Sequence, residues 1–294
     1  MKIEVQIGTI EERRFRRKEI VYFLTLIGLK IIKQLNIKKI IVSSDLGKTV
    51  NVLQNNNNYQ SKRHMVECHG IIISDENGDT CVVFSDFWNN CLDQKFRLMF
   101  FSHEIYHVIN SITLPKITKN SISELHYLNI LYQIYNEYSA IRFSLKLFKK
   151  PFDENFKKCI EILYDGYFNP LQDPKNFYKP LKLEILKFRI GMLSIDEFFK
   201  SSYLYIEPIY IYLCYIFAFK DSLDFIEEKF NNSVKDLFIN ENTYNLFTKI
   251  RYWYESDENI NFDDGLDEVK NFLQTLCLSF SDNPNGLYIE VLNI

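Results

Sequence analysis

The sequence predicts an α+β fold in which a small antiparallel sheet with its helices fills the first half and a mostly helical region follows. Three observations lead there. Short apolar runs, Ile3 to Ile7, Ile40 to Val42, Val50 to Leu53, Ile71 to Ile73 and Cys81 to Phe84, crowd the stretch before Ser85 and are separated by turn residues. From Gln94 the apolar period becomes helical, with Phe96, Phe100, His103 and His107 at spacings of 4, 3 and 4. After Phe148 helical segments recur, with a strand near the end. At 294 residues, 47% hydrophobic and 25% charged, the chain fits one large or two ordinary domains, expected at 1–150 and 151–294.

Taken in order, Ile3, Val5 and Ile7 alternate as in a strand. Glu11 to Leu35 reads as one helix, with Ile20, Phe23, Leu24, Ile27, Ile31 and Leu35 on one face. Its basic start (Arg13, Arg14, Arg16, Arg17, Lys18) before the apolar run Ile20 to Leu29 mimics a signal peptide. No small-residue cleavage site follows, the run falls short of the roughly 20 residues that span a bilayer, and Lys30 and Lys33 continue the helix. Those charges read as a solvated basic face, with a membrane-surface or partner-binding patch as the alternative. Lys39 to Gln54 reads as a hairpin turning at Asp45-Leu46-Gly47-Lys48, and Asn55 to Asn58 as a loop. His69 to Phe84 reads as a second hairpin through Asp75 to Asp79, with His64 and His69 as structural histidines.

In the second half, helices are expected at Phe152–Tyr164, Pro180–Leu193, Ile195–Tyr203, Pro208–Phe219, Ser222–Phe230, Val234–Tyr254 and Leu266–Phe280, then a strand at Leu287–Leu292. Glu207 and Pro208 interrupt the most apolar run, Tyr203 to Phe219, which makes it a core helix and leaves no transmembrane segment expected. A net charge of −3 argues against nucleic-acid binding by bulk electrostatics. Six cysteines, at 68, 81, 91, 159, 214 and 277, form no C-x-x-C pair and read as reduced thiols of a cytoplasmic protein.

The chemistry is concentrated at His103-Glu104-Ile105-Tyr106-His107. Residues four apart on a helix share a face, so both imidazoles can reach one tetrahedral Zn²⁺ at roughly 2.0–2.1 Å. Glu104, rotated by about 100° from His103, stands beside the metal and can reach its water without being a ligand. The pattern is H-E-x-x-H, the signature of zinc peptidases. Asp93, Asn89 or Asn90 can cap the helix, and Pro115 closes it. A pair of satisfied core histidines is the bland alternative.

A third ligand is needed. The extension H-E-x-x-H-x-x-G-x-x-H fails at Asn110 and Thr113, leaving Glu124 and Glu137 as the acidic residues between His107 and Pro151. Glu124 belongs to a capping box, Ser121-Ile122-Ser123-Glu124. Glu137 instead lies in the apolar stripe Ile130, Ile134, Glu137, Ile141, Leu145, Phe148, where an ionised carboxylate needs compensation by metal or by a cation such as Arg97 or Arg142. His126 is a rival ligand.

Residues Gln94 to His107, followed by Glu137-Tyr138-Ser139-Ala140-Ile141-Arg142-Phe143, resemble the ImmA/IrrE group of zinc peptidases, within the wider gluzincin-like enzymes. In that group an R-x-x-F-x-x-x-H-E-x-x-H helix precedes one carrying E-x-x-A and an aromatic. The resemblance covers about half the chain. It implies a zincin-like domain over 1–150, with His103, His107 and Glu137 as zinc ligands and Glu104 as the catalytic base. It also implies a protein substrate, of which a DNA-binding repressor is the group's frequent example.

The expected function is thus a zinc-dependent endopeptidase, with Glu104 as general base on zinc-bound water. Tyr106, Tyr135 and Tyr138 are available as neutral donors near the oxyanion. A strand beside the cleft, guessed at Asp86 to Asn90, would pair with an extended peptide substrate. The helical region 151–294 is expected to cover the cleft or bind a regulatory protein partner. The alternative is a non-catalytic binding protein with a structural or vestigial zinc site, against which the presence of Glu104 counts.

Overall fold

The computed structural model describes residues 1–55, 62–63, 66–67, 70–85, 94–119, 121–148, 154, 157–158, 160–161, 174–223, 240–256, 260–284 and 286–291. The expected helix caps at Asn89, Asn90 and Asp93, the edge strand at Asp86 to Asn90, His64, His69, and most of the expected helices at 152–164 and 222–230 lie outside these residues. Contacts divide the chain into two compact groups, Met1–Thr113 with Phe143–Phe152, and Leu114–Arg142 with Asp153–Ile294. Residues 114–142, expected in the first domain, thus group with the C-terminal residues.

The first group holds strand β1 (Lys2–Val5), helices α1 (Ile10–Ile27) and α2 (Leu29–Gln34), β2 (Ile37–Val42), α3 (Leu46–Leu53), the short strands β3 (Lys62–Arg63) and β4 (Val66–Glu67), β5 (Gly70–Ser74), β6 (Thr80–Phe84) and helix α4 (Gln94–Thr113). Four strands form one sheet in the order β1-β2-β6-β5. The sheet is mixed, which corrects the antiparallel expectation. Only β5–β6 runs antiparallel, with Ile73 opposite Cys81, whereas β1–β2 and β2–β6 are parallel, with Val5 opposite Val42 and Val42 opposite Phe84. The reason is the connections: α1 and α2 lie between β1 and β2, and α3 follows β2, and a helical crossover returns the chain in the same direction.

Helix α3 overturns the first expected hairpin. Asp45 caps it by accepting from the Lys48 N–H at 2.9 Å. Leu46 and Val50, one turn apart, are buried and Leu53 packs beside them, a helical stripe inside what had the composition of a strand. Gly28 splits the expected Glu11–Leu35 helix, since its φ of 113° breaks the helical path between α1 and α2. The second hairpin is present, its turn held by Asp75, which accepts from the N–H groups of Asn77 and Asp79 and from Lys39 Nζ, each at 3.0 Å.

Alternation along the strands builds a core on each face of the sheet. Ile40, Val42, Val82 and Phe84 face Ile20, Phe23, Leu24 and Ile27 of α1 and Leu98, Phe101, Ile105 and Val108 of α4. Ile41, Ile73, Cys81 and Val83 face α3. A buried fork ties α1 to α4: Arg97 donates to Glu19 through Nε at 3.0 Å and through a terminal nitrogen at 2.7 Å, and Arg16 donates to the same carboxylate at 3.0 Å.

The second group holds α5 (Ile122–Lys146, up to Arg142), α6 (Pro174–Arg189), α7 (Ile195–Ser222), α8 (Glu241–Glu255), α9 (Leu266–Thr275) and an antiparallel hairpin of β7 (Leu278–Asn283) and β8 (Gly286–Val291). The first turn of α5 uses half of the expected capping box, the Glu124 N–H donating to Ser121 Oγ at 3.1 Å. Asp282 of β7 also accepts there, from the Ser123 N–H at 2.8 Å. Two expected helices, Ile195–Tyr203 and Pro208–Phe219, are one, with Pro208 inside α7. Burial of Ile206, Ile209, Tyr210 and Leu213 around the proline outweighs the lost backbone bond. By length and composition α7 is long and apolar enough to cross a membrane, yet 67% of its most apolar stretch is buried within the protein. The expected helix at Leu266–Phe280 gives way to β7 at Leu278.

Candidate metal centre

Helix α4 turns one face to the sheet through Leu98, Phe101, Ile105 and Val108. His103 and His107 fall one turn apart on the opposite face, His103 buried and His107 half-buried. Their Nε2 atoms lie 2.9 Å apart and the rings meet edge to face at 89°. Two nitrogens that far apart, each about 2.0–2.1 Å from a common ion, subtend about 90° at it, within reach of tetrahedral coordination by a small side-chain adjustment.

Glu137 completes a set of donors: ligand atoms of His103, His107 and Glu137 all lie within 4.8 Å of one another. Two imidazoles and a carboxylate are the donor set of a three-ligand zinc site with an open fourth position, so the residues fit that metal. The carboxylate also reaches its own surroundings on α5 and α7. Burial above all, then the charges of Glu207, Tyr203 and Glu137, push the Tyr210 hydroxyl well above its ordinary range, and burial followed by Glu137 does the same to the Cys214 thiol.

The competing roles of the sequence candidates find other partners. Arg97 holds Glu19, and Arg142 donates to the Tyr138 hydroxyl and to Glu255, each at 2.8 Å. Glu124 and His126 sit 13 and 11 residues before Glu137 on α5, roughly 20 and 16 Å away along a helix rising about 1.5 Å per residue. His126 is packed edge-on against Phe199 and Phe280, and burial lowers its pKa.

Glu104 lies against the start of β5. A Cβ added to Gly70 would meet Glu104 Cγ at 2.7 Å and Cδ and Oε1 at 2.8 Å, so any other residue there would require the carboxylate or the strand to shift. The sequence carried no signal of this contact, which depends on pairing distant segments. Of the expected tyrosine donors, Tyr106 stacks on Phe143 at 4.4 Å, Tyr135 is buried edge-on to Trp253 and Phe262, and Tyr138 donates to Asp221 at 2.6 Å. Two tyrosines missed by the sequence reading, Tyr203 and Tyr210, both donate to Gln133 Oε1 at 2.7 Å, one turn before Glu137. Their seven-residue spacing on one helix face was the available clue.

Comparison with known proteins finds no matching family model, curated protein or solved structure.

Proposed function

We propose that the protein is a zinc-dependent endopeptidase that hydrolyses a peptide bond in a protein substrate. The observation that carries this reading is the convergence of His103, His107 and Glu137 donors within 4.8 Å, with Glu104 placed directly after the first ligand on the same helix. When bound, zinc supplies a Lewis acid that lowers the pKa of a water molecule and polarises a carbonyl. Glu104 accepts the proton of that water and returns it to the leaving amine, a general acid–base contribution of about 10²–10⁴-fold. Gly70 positions Glu104 by leaving it a slot against the backbone of β5.

Strand β5 stands at the end of the sheet order, and it begins against Glu104. An extended peptide that adds to this edge by main-chain pairing would run past the carboxylate with little demand on its sequence. The ImmA/IrrE-like pattern of Arg97, Phe100, His103, Glu104, His107, Glu137 and Ala140 supports the same reading.

The test compares wild type with Glu104→Gln. Metal content is measured by elemental analysis, and new peptide N-termini are counted by mass spectrometry in cells expressing either form. The peptidase reading expects equal zinc in both proteins and a set of cleavages present only with wild type. Zinc without any Glu104-dependent cleavage would instead assign a structural metal site, and absence of bound zinc would remove the centre altogether.

A further inference from the structure

Gln133 of α5 and Tyr203 and Tyr210 of α7 form a polar cluster that the proposed chemistry does not use. The two tyrosines stand two turns apart on one helix, yet both hydroxyls donate to the same atom, Gln133 Oε1, at 2.7 Å. A side-chain amide carries its acceptor oxygen and its two N–H donors at opposite ends of one planar group. With both phenol protons directed at the oxygen, the plane is held and Nε2 is turned away from the phenols. No described residue accepts from that nitrogen.

The cluster is built into the packing of α5 on α7, with Tyr210 buried and Gln133 and Tyr203 half-buried. Taking two hydroxyls out of water is offset by their hydrogen bonds, and two hydrophobic side chains would have done the same packing without them. What the phenols add is a fixed orientation for one amide. Gln133 lies four residues before Glu137, so the two side chains share a face of α5 about 6 Å apart along its axis. An extended peptide rises about 3.3 Å per residue, so about two residues of substrate cover that distance.

We infer that Gln133 Nε2 donates to a main-chain carbonyl of the peptide substrate about two residues from the scissile bond, and that Tyr203 and Tyr210 are positioning residues that hold the amide in the donating orientation. This inference rests on the peptidase reading. A fixed N–H donor recognises a polypeptide backbone whatever side chains it carries. An amide free to turn would present its oxygen as readily, and that oxygen repels a carbonyl.

The test is steady-state kinetics of the full-length, zinc-loaded protein on a fluorogenic peptide built around a cleavage site mapped with wild type. Gln133→Glu keeps an oxygen for both phenols but has no N–H to give. It should raise KM about tenfold with kcat and zinc content unchanged, because the contact is made equally in the bound state and the transition state. Tyr203→Phe/Tyr210→Phe, which frees the amide, should raise KM by less. A set of the same peptide with one carbonyl at a time replaced by an alkene separates contact from structural support. One replacement should weaken binding to wild type and leave Gln133→Glu indifferent. Wild-type KM in the variants, replacements that act equally on wild type and Gln133→Glu, or zinc lost from Gln133→Glu would each overturn the inference and leave the peptidase reading standing. A wild type without Glu104-dependent cleavage overturns that reading, and this inference with it.

Discussion

Replacing Gly70 with alanine isolates the slot that holds Glu104. The added Cβ would sit 2.7 Å from Glu104 Cγ and 2.8 Å from Cδ and Oε1, against ordinary carbon contacts of about 3.5–4.0 Å. Relief therefore requires the carboxylate or the start of β5 to shift by about 0.8 Å or more, on the scale at which misplacing a reacting group costs about 10²-fold. Overpacking of this kind also costs about 1–3 kcal/mol of stability. The proposed metal ligands do not include Gly70, so zinc should remain bound. The assay measures zinc content, melting temperature and cleavage of a substrate identified by the N-terminus experiment. A folded, metal-loaded Gly70→Ala protein with wild-type turnover would refute the positioning role of this contact.

Other outcomes follow from the same geometry. Glu137→Gln should weaken zinc binding by more than about 100-fold, read by competition with a chromophoric chelator, while far-ultraviolet circular dichroism is retained. Glu19→Gln replaces the carboxylate that accepts from Arg97 and Arg16 with a neutral amide, and Glu19→Ala removes that acceptor altogether. The alanine variant should lose about 3–5 kcal/mol in urea unfolding and the glutamine variant less. The Lys39 ammonium first, then the Asp79 and Asn77 amides, hold the Asp75 carboxyl below its usual range. A depressed folded-state value stabilises the protein above about pH 4 and is lost as pH falls through the folded value. Asp75→Asn should therefore flatten the acid limb of a stability–pH profile measured by denaturant melts, and an unchanged slope below pH ~4 would count against this role.

What was readable in the sequence was what is local. His103, Glu104 and His107 needed only a helix, and Glu137 was visible as a carboxylate inside an apolar stripe. The β5–β6 hairpin was legible because its turn lies between the paired runs. Helix α3 was misread since Val50, Val52 and Leu53 resemble a strand in composition, whereas Leu46 and Val50 fix its buried side only against the sheet. Parallel pairing of β1, β2 and β6 leaves no mark on any one segment, so the direction of the sheet was out of reach. Pro208 broke the apolar period on paper, but tertiary packing carried α7 through it. The slot at Gly70 and the two tyrosines on Gln133 join residues 34 and at least 70 positions apart, beyond any periodicity.

The fork from Arg97 to Glu19 spans 78 positions of sequence and is buried at both ends. A proteolytic nick that released the first helix would take this carboxylate acceptor from a buried guanidinium six residues before His103. Fragments lacking that helix should therefore fail to hold zinc even though every donor atom is still present. The amino-terminal segment is in this sense part of the scaffold of the proposed metal centre.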